Sequence, residues 1–205
     1  MDIVDQFKDI PTTCISDAMQ GLNNLDPVIK PLKPQYRVAG RARTVKLPVG
    51  DNLVLLKAIR ESRPGEVIVV DTKGDLYRAI AGDFVLGMAQ ILGLGGIVAD
   101  GAIRDIEGTK QLDFPVFCRG ATVAAGGKAG TGEINVPISC GGVSVSPGDI
   151  IVGDADGVLV VPQRVEEELL KRSLEKQEFE LKRAYSVLVS PEDVRKYLDN
   201  ILPQS

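Results

Sequence analysis

With 205 residues, 44% of them hydrophobic and 25% charged, the chain has the length and apolar content for one domain with a sizeable core, or two small ones. Its 24 Lys and Arg against 28 Asp and Glu leave a net charge of −4, which argues against direct nucleic-acid binding. It has no histidine, so Ser-His-Asp and Cys-His catalysis, His-ligated zinc and phosphohistidine chemistry are excluded.

Along the chain, "IPTTCISDAMQG" predicts a short helix that starts at Thr12 or Thr13 and ends before Gly21. "VAGRARTVKLPV" has the β-branched character of a strand. "GDNLVLLKAIRES" opens a helix after Gly50, with Leu53, Leu56 and Ile59 on one face. "PGEVIVVDT" is a turn followed by a wholly apolar strand, as in a buried sheet.

"GDFVLGMAQILGLG" then predicts a helix from about Asp83 to Leu92, stopped by Gly93, and "GGIVADG" a second buried strand. Residues 50–101 thus alternate helix and strand, which favours parallel pairing. Beyond Phe114, short strands separated by Gly, Pro and Asp turns predict a tight β-layer. Arg164 to about Ala184 is a Glu- and Lys-rich helix. A last helix has Ser190 as its cap, Pro191 and Asp193 in its first turn, and Val194, Tyr197, Leu198 and Ile201 along one stripe. The expectation is a single α/β domain, with a core at about 10–163 and a C-terminal helical segment at 164–205.

No apolar run approaches the ~20 residues of a membrane span. The start "MDIVDQFKDI" is acidic where a secretory leader would be basic and then apolar. Cys14, Cys118 and Cys140 lie far apart without a CxxC and read as buried thiols of a reducing compartment. A cytoplasmic protein is expected, with neither membrane nor nucleic acid as partner.

Three stretches invite chemistry. "GLGG" at 93–96 follows a helix and precedes a strand, the reverse of the strand, Gly turn, helix order of phosphate cradles, and reads as a helix stop. "GDADGV" at 153–158 lacks the spacing and bidentate Glu of a calcium loop, so Asp154, Asp156 and Gly157 read as a turn between strands. "ADGAIRDIEG" follows a buried strand, so Asp100 to Glu107 are expected in the loop at its carboxyl end, where ligands gather in parallel sheets.

In that loop Asp105 is a hard oxygen ligand of the kind Mg²⁺ or Mn²⁺ takes, and Arg104 offers a fork for a carboxylate or enolate oxygen. An ordinary surface ion pair is the competing reading. At "AGDFV" the first backbone N–H groups of a helix, those of Asp83, Phe84 and Val85 after Gly82, form a small anion nest, or Asp83 merely caps its own helix.

"DGAIRDIEG", preceded by "GDFVLGMAQILGLGGIVA" and followed by "INVPISCGGVSVSPGDIIVGDADGVLVVP", resembles the RraA-like family. The likeness extends to "TTCISDAMQG", "GRARTVKLPVGDN" and "PGEVIVVD" and covers nearly all of residues 10–185. That family holds 4-hydroxy-4-methyl-2-oxoglutarate aldolases with oxaloacetate decarboxylase side activity, and relatives named as regulators of ribonuclease E. The resemblance implies a swivelling β/β/α-type sandwich assembled as a homotrimer or hexamer, with a divalent metal (Mg²⁺ or Mn²⁺) in a site between subunits.

Carried onto this sequence, the resemblance makes Asp105 the direct metal ligand. Arg104 binds the keto-acid end of the substrate and stabilises the enolate. Gly82, Asp83, Phe84 and Val85 form the nest for the pyruvyl carboxylate, with Asp83 reaching metal-bound water. Glu178 or Glu175, from the C-terminal helix of the neighbouring subunit, completes the site through water. A Schiff base on Lys73 or Lys110 lacks the apolar surroundings that would lower a lysine pKa. Gly108 departs from the family, some aldolase members of which carry an acid there.

The expected function is a metal-dependent pyruvate aldolase, a lyase. The alternative is a non-catalytic, protein-binding regulator of ribonuclease activity. A methyltransferase has no strand–GxGxG–helix site to support it.

Overall fold

The continuous apolar runs of the sequence form the parallel centre of one sheet. A computed structural model describes residues 2–203. Two short helices, α1 (Ile3–Lys8) and α2 (Thr12–Ala18), precede β1 (Lys30–Pro31) and the long strand β2 (Val38–Lys46). Then follow α3 (Leu53–Glu61), β3 (Val67–Asp71), α4 (Asp83–Ile91), β4 (Gly96–Ile103), α5 (Ile106–Gln111) and β5 (Val116–Ala121). The short strands β6 (Glu133–Ile134), β7 (Ile138–Cys140) and β8 (Val143–Val145) lead to the hairpin β9 (Ile150–Asp154) and β10 (Gly157–Val161). Two helices, α6 (Glu166–Val187) and α7 (Pro191–Ile201), end the described chain.

The sheet runs β1-β5-β4-β3-β2-β9-β10. Strands β2 to β5 are parallel, and β9 and β10 continue them antiparallel. β2 serves both halves, pairing through Val38–Arg41 with β9 and through Ala42–Lys46 with β3. The segment before β1 joins the two edges: Leu25 N donates to Val158 O of β10, while Lys30 pairs with Cys118 of β5. The result is a nearly closed, curved sheet. The expected β-layer beyond Phe114 is therefore no separate sheet, because β5, β9 and β10 extend the parallel one and only β7–β8 stand apart.

Two cores lie against it. The larger holds Val67–Val70 of β3, Ile97 and Val98 of β4 and Phe117, covered by Leu55 and Ile59 of α3 and Leu86 of α4. The smaller packs Phe7, Ile15 and Leu169 on Ile150, Val152, Leu159 and Val161. The β9–β10 hairpin is the wall between them: alternate residues, such as Ile151 and Val160, point into the larger core. Asp154 at the hairpin turn is buried and accepts from the Thr12 backbone N at 2.9 Å and from Thr12 Oγ1 at 2.7 Å, tying α2 to the sheet. That is the turn role expected of "GDADGV".

Two expectations need correction. The buried face of α3 is Val54, Leu55, Ala58 and Ile59, with Leu53 exposed, because Asp51 Oδ1 accepts from Leu53 N and sets the first turn. The strand before the candidate loop is longer than "GGIVADG": β4 stays buried through Ile103, so Asp100 belongs to the sheet and the loop shrinks to Arg104 and Asp105.

Candidate active site

Two chain segments are brought together at the end of β4. Residues 79–82 run beside it, with Ile80 N donating to Ala102 O and Arg104 N to Ala81 O, both at 3.0 Å. This sets Gly82, which caps the start of α4, against Arg104 and Asp105, which lead into α5. The first α4 bond runs from Leu86 N to Gly82 O, so the N–H groups of Asp83, Phe84 and Val85 precede the helical ladder. Asp83 Oδ1 accepts from Phe84 N at 2.6 Å, so one donor of the expected nest is already engaged.

Asp105 is the distinctive residue. Its backbone is left-handed, at φ 54° and ψ 48°, a conformation open to Asp but costing a residue with a Cβ about 1–2 kcal/mol. It stands at the cap position of α5, yet its side chain makes no capping bond. The carboxylate turns instead over Gly82 and accepts from Arg104 Nε through Oδ2 at 2.9 Å. Oδ1 and both Arg104 Nη groups have no partner among the described residues. The two side chains are 39% and 40% exposed, so this pair keeps most of its hydrogen-bonding capacity free.

A cavity of about 230 Å³ opens beside the pair, lined by Gly82, Phe84, Val85, Asn52 and Lys128 as well as Arg104 and Asp105. A second, of about 430 Å³, lies across Arg104 and Asp105 against Ala121, Thr122 and Val123. Asn52 and Lys128 escaped the sequence reading. Asn52 Nδ2 donates to Ile80 O at 3.0 Å, while its buried Oδ1 is unpartnered among the described residues. Lys128 sits in "GGKAGTG", a basic residue among glycines, which was the available signal. Buried Asp51 holds that loop by accepting from the backbone N of Ala129 and Gly130.

Gly82, Asp83, Phe84, Val85, Arg104 and Asp105 therefore converge. Glu175 and Glu178 do not join them within one chain: α6 packs on α1, α2 and α7, with both carboxylates exposed. Glu178 pairs with Lys182 at 2.6 Å, and that ammonium holds its carboxyl below the ordinary glutamate range. Lys73 and Lys110 are exposed.

As a cation donor set, the site offers one carboxylate of this chain. No three His, Cys, Asp or Glu side chains converge among the described residues. One hard, exposed carboxylate with a free oxygen suits a cation that keeps several waters, as Mg²⁺ does. "GLGG" is architectural: Gly93 is left-handed at φ 75° and ends α4, and a Cβ on Gly95 would stand 2.8 Å from Gly65 O. Among the described residues no helix is long and apolar enough to cross a membrane.

A family profile described as RraA-like, Aldolase/RraA, matches residues 12–160. A protein of Halalkalibacterium halodurans, provisionally named 4-hydroxy-4-methyl-2-oxoglutarate aldolase, is 55% identical over 100% of this chain and 98% of its own length. A Thermus thermophilus protein named 4-hydroxy-4-methyl-2-oxoglutarate aldolase is 34% identical over 74% of this chain and 92% of its own. Among solved structures, a T. thermophilus protein described as the RNA-processing inhibitor RraA superposes with a TM-score of 0.70 at 34% identity, covering 75% of this chain and 93% of that one.

Proposed function

This chain belongs to the RraA-like (Aldolase/RraA) family, and from that premise we propose that it is a divalent-metal-dependent pyruvate aldolase. Its substrate is 4-hydroxy-4-methyl-2-oxoglutarate or a related 4-hydroxy-2-oxo acid, and it also decarboxylates oxaloacetate. The observation that carries the reading is the unsaturated Arg104–Asp105 pair, turned onto Gly82 beside the α4 N–H groups.

Asp105 would hold the cation, which when bound supplies Lewis acidity to the substrate's keto oxygen. The backbone N–H groups of Gly82, Asp83 and Val85, with Phe84 N shared with Asp83 Oδ1, bind the C1 carboxylate and fix the orientation of the 2-oxo group. Asp83 takes the proton of the C4 hydroxyl, directly or across one water. The C3–C4 bond then breaks, C4–O becomes a carbonyl, and the electron pair passes to C3 and the C2 oxygen. Arg104 places its Nη donors against that developing enolate charge. Protonation at C3 releases pyruvate. Oxaloacetate loses CO₂ across the equivalent bond and leaves the same enolate, so one electrostatic arrangement serves both reactions.

The active form is a homotrimer or hexamer, with Glu175 or Glu178 of a neighbouring copy closing the site. An apolar groove of about 540 Å³ beside the nest, lined by Phe84, Met88, Ile91, Leu92 and Leu112, supports a subunit contact there. Phe84 is 78% exposed within one chain, unusual for so large an apolar group. The second reading, a protein-binding regulator without turnover, is favoured by the name of the RraA structure and by the apolar stripe of α7, where no residue is buried.

Pyruvate release from oxaloacetate with Mg²⁺ or Mn²⁺ decides between them. EDTA should abolish turnover, and Asp105→Ala should lower it on the order of 10²-fold or more. Full activity in Asp105→Ala, or no metal-dependent turnover in the native chain, would overturn the aldolase reading. A panel of 4-hydroxy-2-oxo acids then selects the substrate.

A further inference from the structure

Two glycines at this site have no conformational reason to be glycine. Gly82 lies at φ −128° and ψ −173°, extended backbone that any residue adopts. Gly108 lies inside α5, where glycine is the least helix-favouring residue after proline. What distinguishes both is the space where a side chain would be. A Cβ on Gly82 would overlap Asp105 Oδ2, with Asp105 Cγ and Arg104 Cγ each at 3.2 Å. A Cβ on Gly108 would overlap Asp83 Oδ2, with Asp83 Cγ at 3.0 Å and Cβ at 3.1 Å.

The arrangement is reciprocal. The acid that opens α5 lies on the glycine that caps α4, and the acid that opens α4 lies on a glycine of α5. α4 and α5 pack together, so each carboxylate is seated on the backbone of the other helix. We propose that Gly82 and Gly108 are positioning residues that set the two carboxylates of the site separately: Gly82 seats Asp105 toward the cation, and Gly108 seats Asp83 toward the proton it moves. This rests on the aldolase reading for the roles of the acids, and on the contacts alone for the seating.

The consequence is specific because the atom overlapped at each position is the carboxylate oxygen at the end of a short side chain. A methyl group at 108 moves the Asp83 carboxylate more readily than it moves helix backbone, and a methyl group at 82 does the same to Asp105. Gly108, where some family members carry an acid, thus becomes the seat of the acid at 83.

Three measurements on the full chain test this. In calorimetric titration with Mn²⁺ alone, Gly82→Ala should weaken binding at least about tenfold, while Gly108→Ala stays within about twofold. In oxaloacetate turnover, Gly108→Ala should lower kcat more than it changes KM and shift the acidic limb of the kcat pH profile. The third measurement needs no metal. By thermal unfolding, Gly108→Ala should lower the midpoint in the native background but raise it in Asp83→Gly, where no side-chain atom remains to be overlapped and only the gain in helix preference is left.

Mn²⁺ affinity unchanged in Gly82→Ala, or a Gly108→Ala effect of the same sign with and without Asp83, would overturn the seating. A native chain that binds no Mn²⁺ and turns over no oxaloacetate would overturn the aldolase reading instead, and the unfolding cycle would still decide the seating.

Discussion

Asp100 of β4 and Asp105 of the turn after it each pair with an arginine, and the two pairs differ in everything but composition. Asp100 is buried in the sheet; its carboxylate accepts from Arg119 Nε and, through Oδ2, from Gly141 N at 2.9 Å. Arg119 in turn reaches Asp26 at 3.0 Å, so one ion network joins β4, β5 and the loops before β1 and β8. The side chains of Asp105 and Arg104 bond only to each other among the described residues, stand more than a third exposed and leave one carboxylate oxygen and two Nη groups unused. A saturated pair holds the fold. An unsaturated pair, kept in place by a left-handed backbone and an absent side chain, is available to a ligand.

The sharpest way to break this contrast is to remove one member of each pair. Asp100→Ala leaves the half-buried Arg119 guanidinium without its main partner and should cost about 3 kcal/mol of stability, read by urea unfolding. A loss below about 0.5 kcal/mol, the level of ordinary surface changes, would place both pairs in one class. Arg104→Ala should do the reverse. Its stability should stay within about 0.5 kcal/mol of the native chain, while pyruvate formation from oxaloacetate falls on the order of 10²-fold.

The smallest expected effect concerns the thiols beside the saturated pair. Burial pushes the Cys118 thiol up to about 11, and burial with the nearby Asp100 charge pushes Cys140 higher still. Both pKa values are raised on folding, so the neutral thiols' contribution is complete below the unfolded value of 9.0 and is lost as pH rises through about 11. The difference in unfolding midpoint between the native chain and Cys118→Ala should therefore narrow from pH 9 to pH 11. A constant difference would mean the thiol meets no greater penalty for ionising than in the unfolded chain.

The buried pair also marks where local sequence stops being informative. "VIVVD" and "GIVA" announce buried parallel strands because every side chain is apolar, and the Ser190–Pro191 cap announces α7, where Ser190 Oγ accepts from Asp193 N at 3.2 Å. "DGAI" looks like the start of a loop. It is strand because Arg119, far along the chain, neutralises Asp100, and nothing near Asp100 foretells that partner. The candidate site divides the same way. Arg104, Asp105 and the Gly82 turn are legible from their motif and their place after a strand. Asn52 and Lys128 meet them only because Asp51 pins a glycine-rich loop many residues downstream, a pairing that tertiary packing alone creates. The stripe of α7 is legible as amphipathic, but none of its residues is buried among the described residues.

The β9–β10 hairpin, set as a wall between the two cores, has a consequence for how this sequence can diverge. On an ordinary half-buried strand every second position faces water and tolerates nearly any polar residue. Here all of β9, and β10 from Val158 to Val161, is buried, with Ile150, Val152 and Asp154 facing the helices and Ile151 and Gly153 facing the larger core. Neither side offers a neutral position. A change on one face of the hairpin must be accommodated in one core without disturbing the other. This segment should therefore drift most slowly through small, shape-conserving exchanges, although it carries none of the site's chemistry.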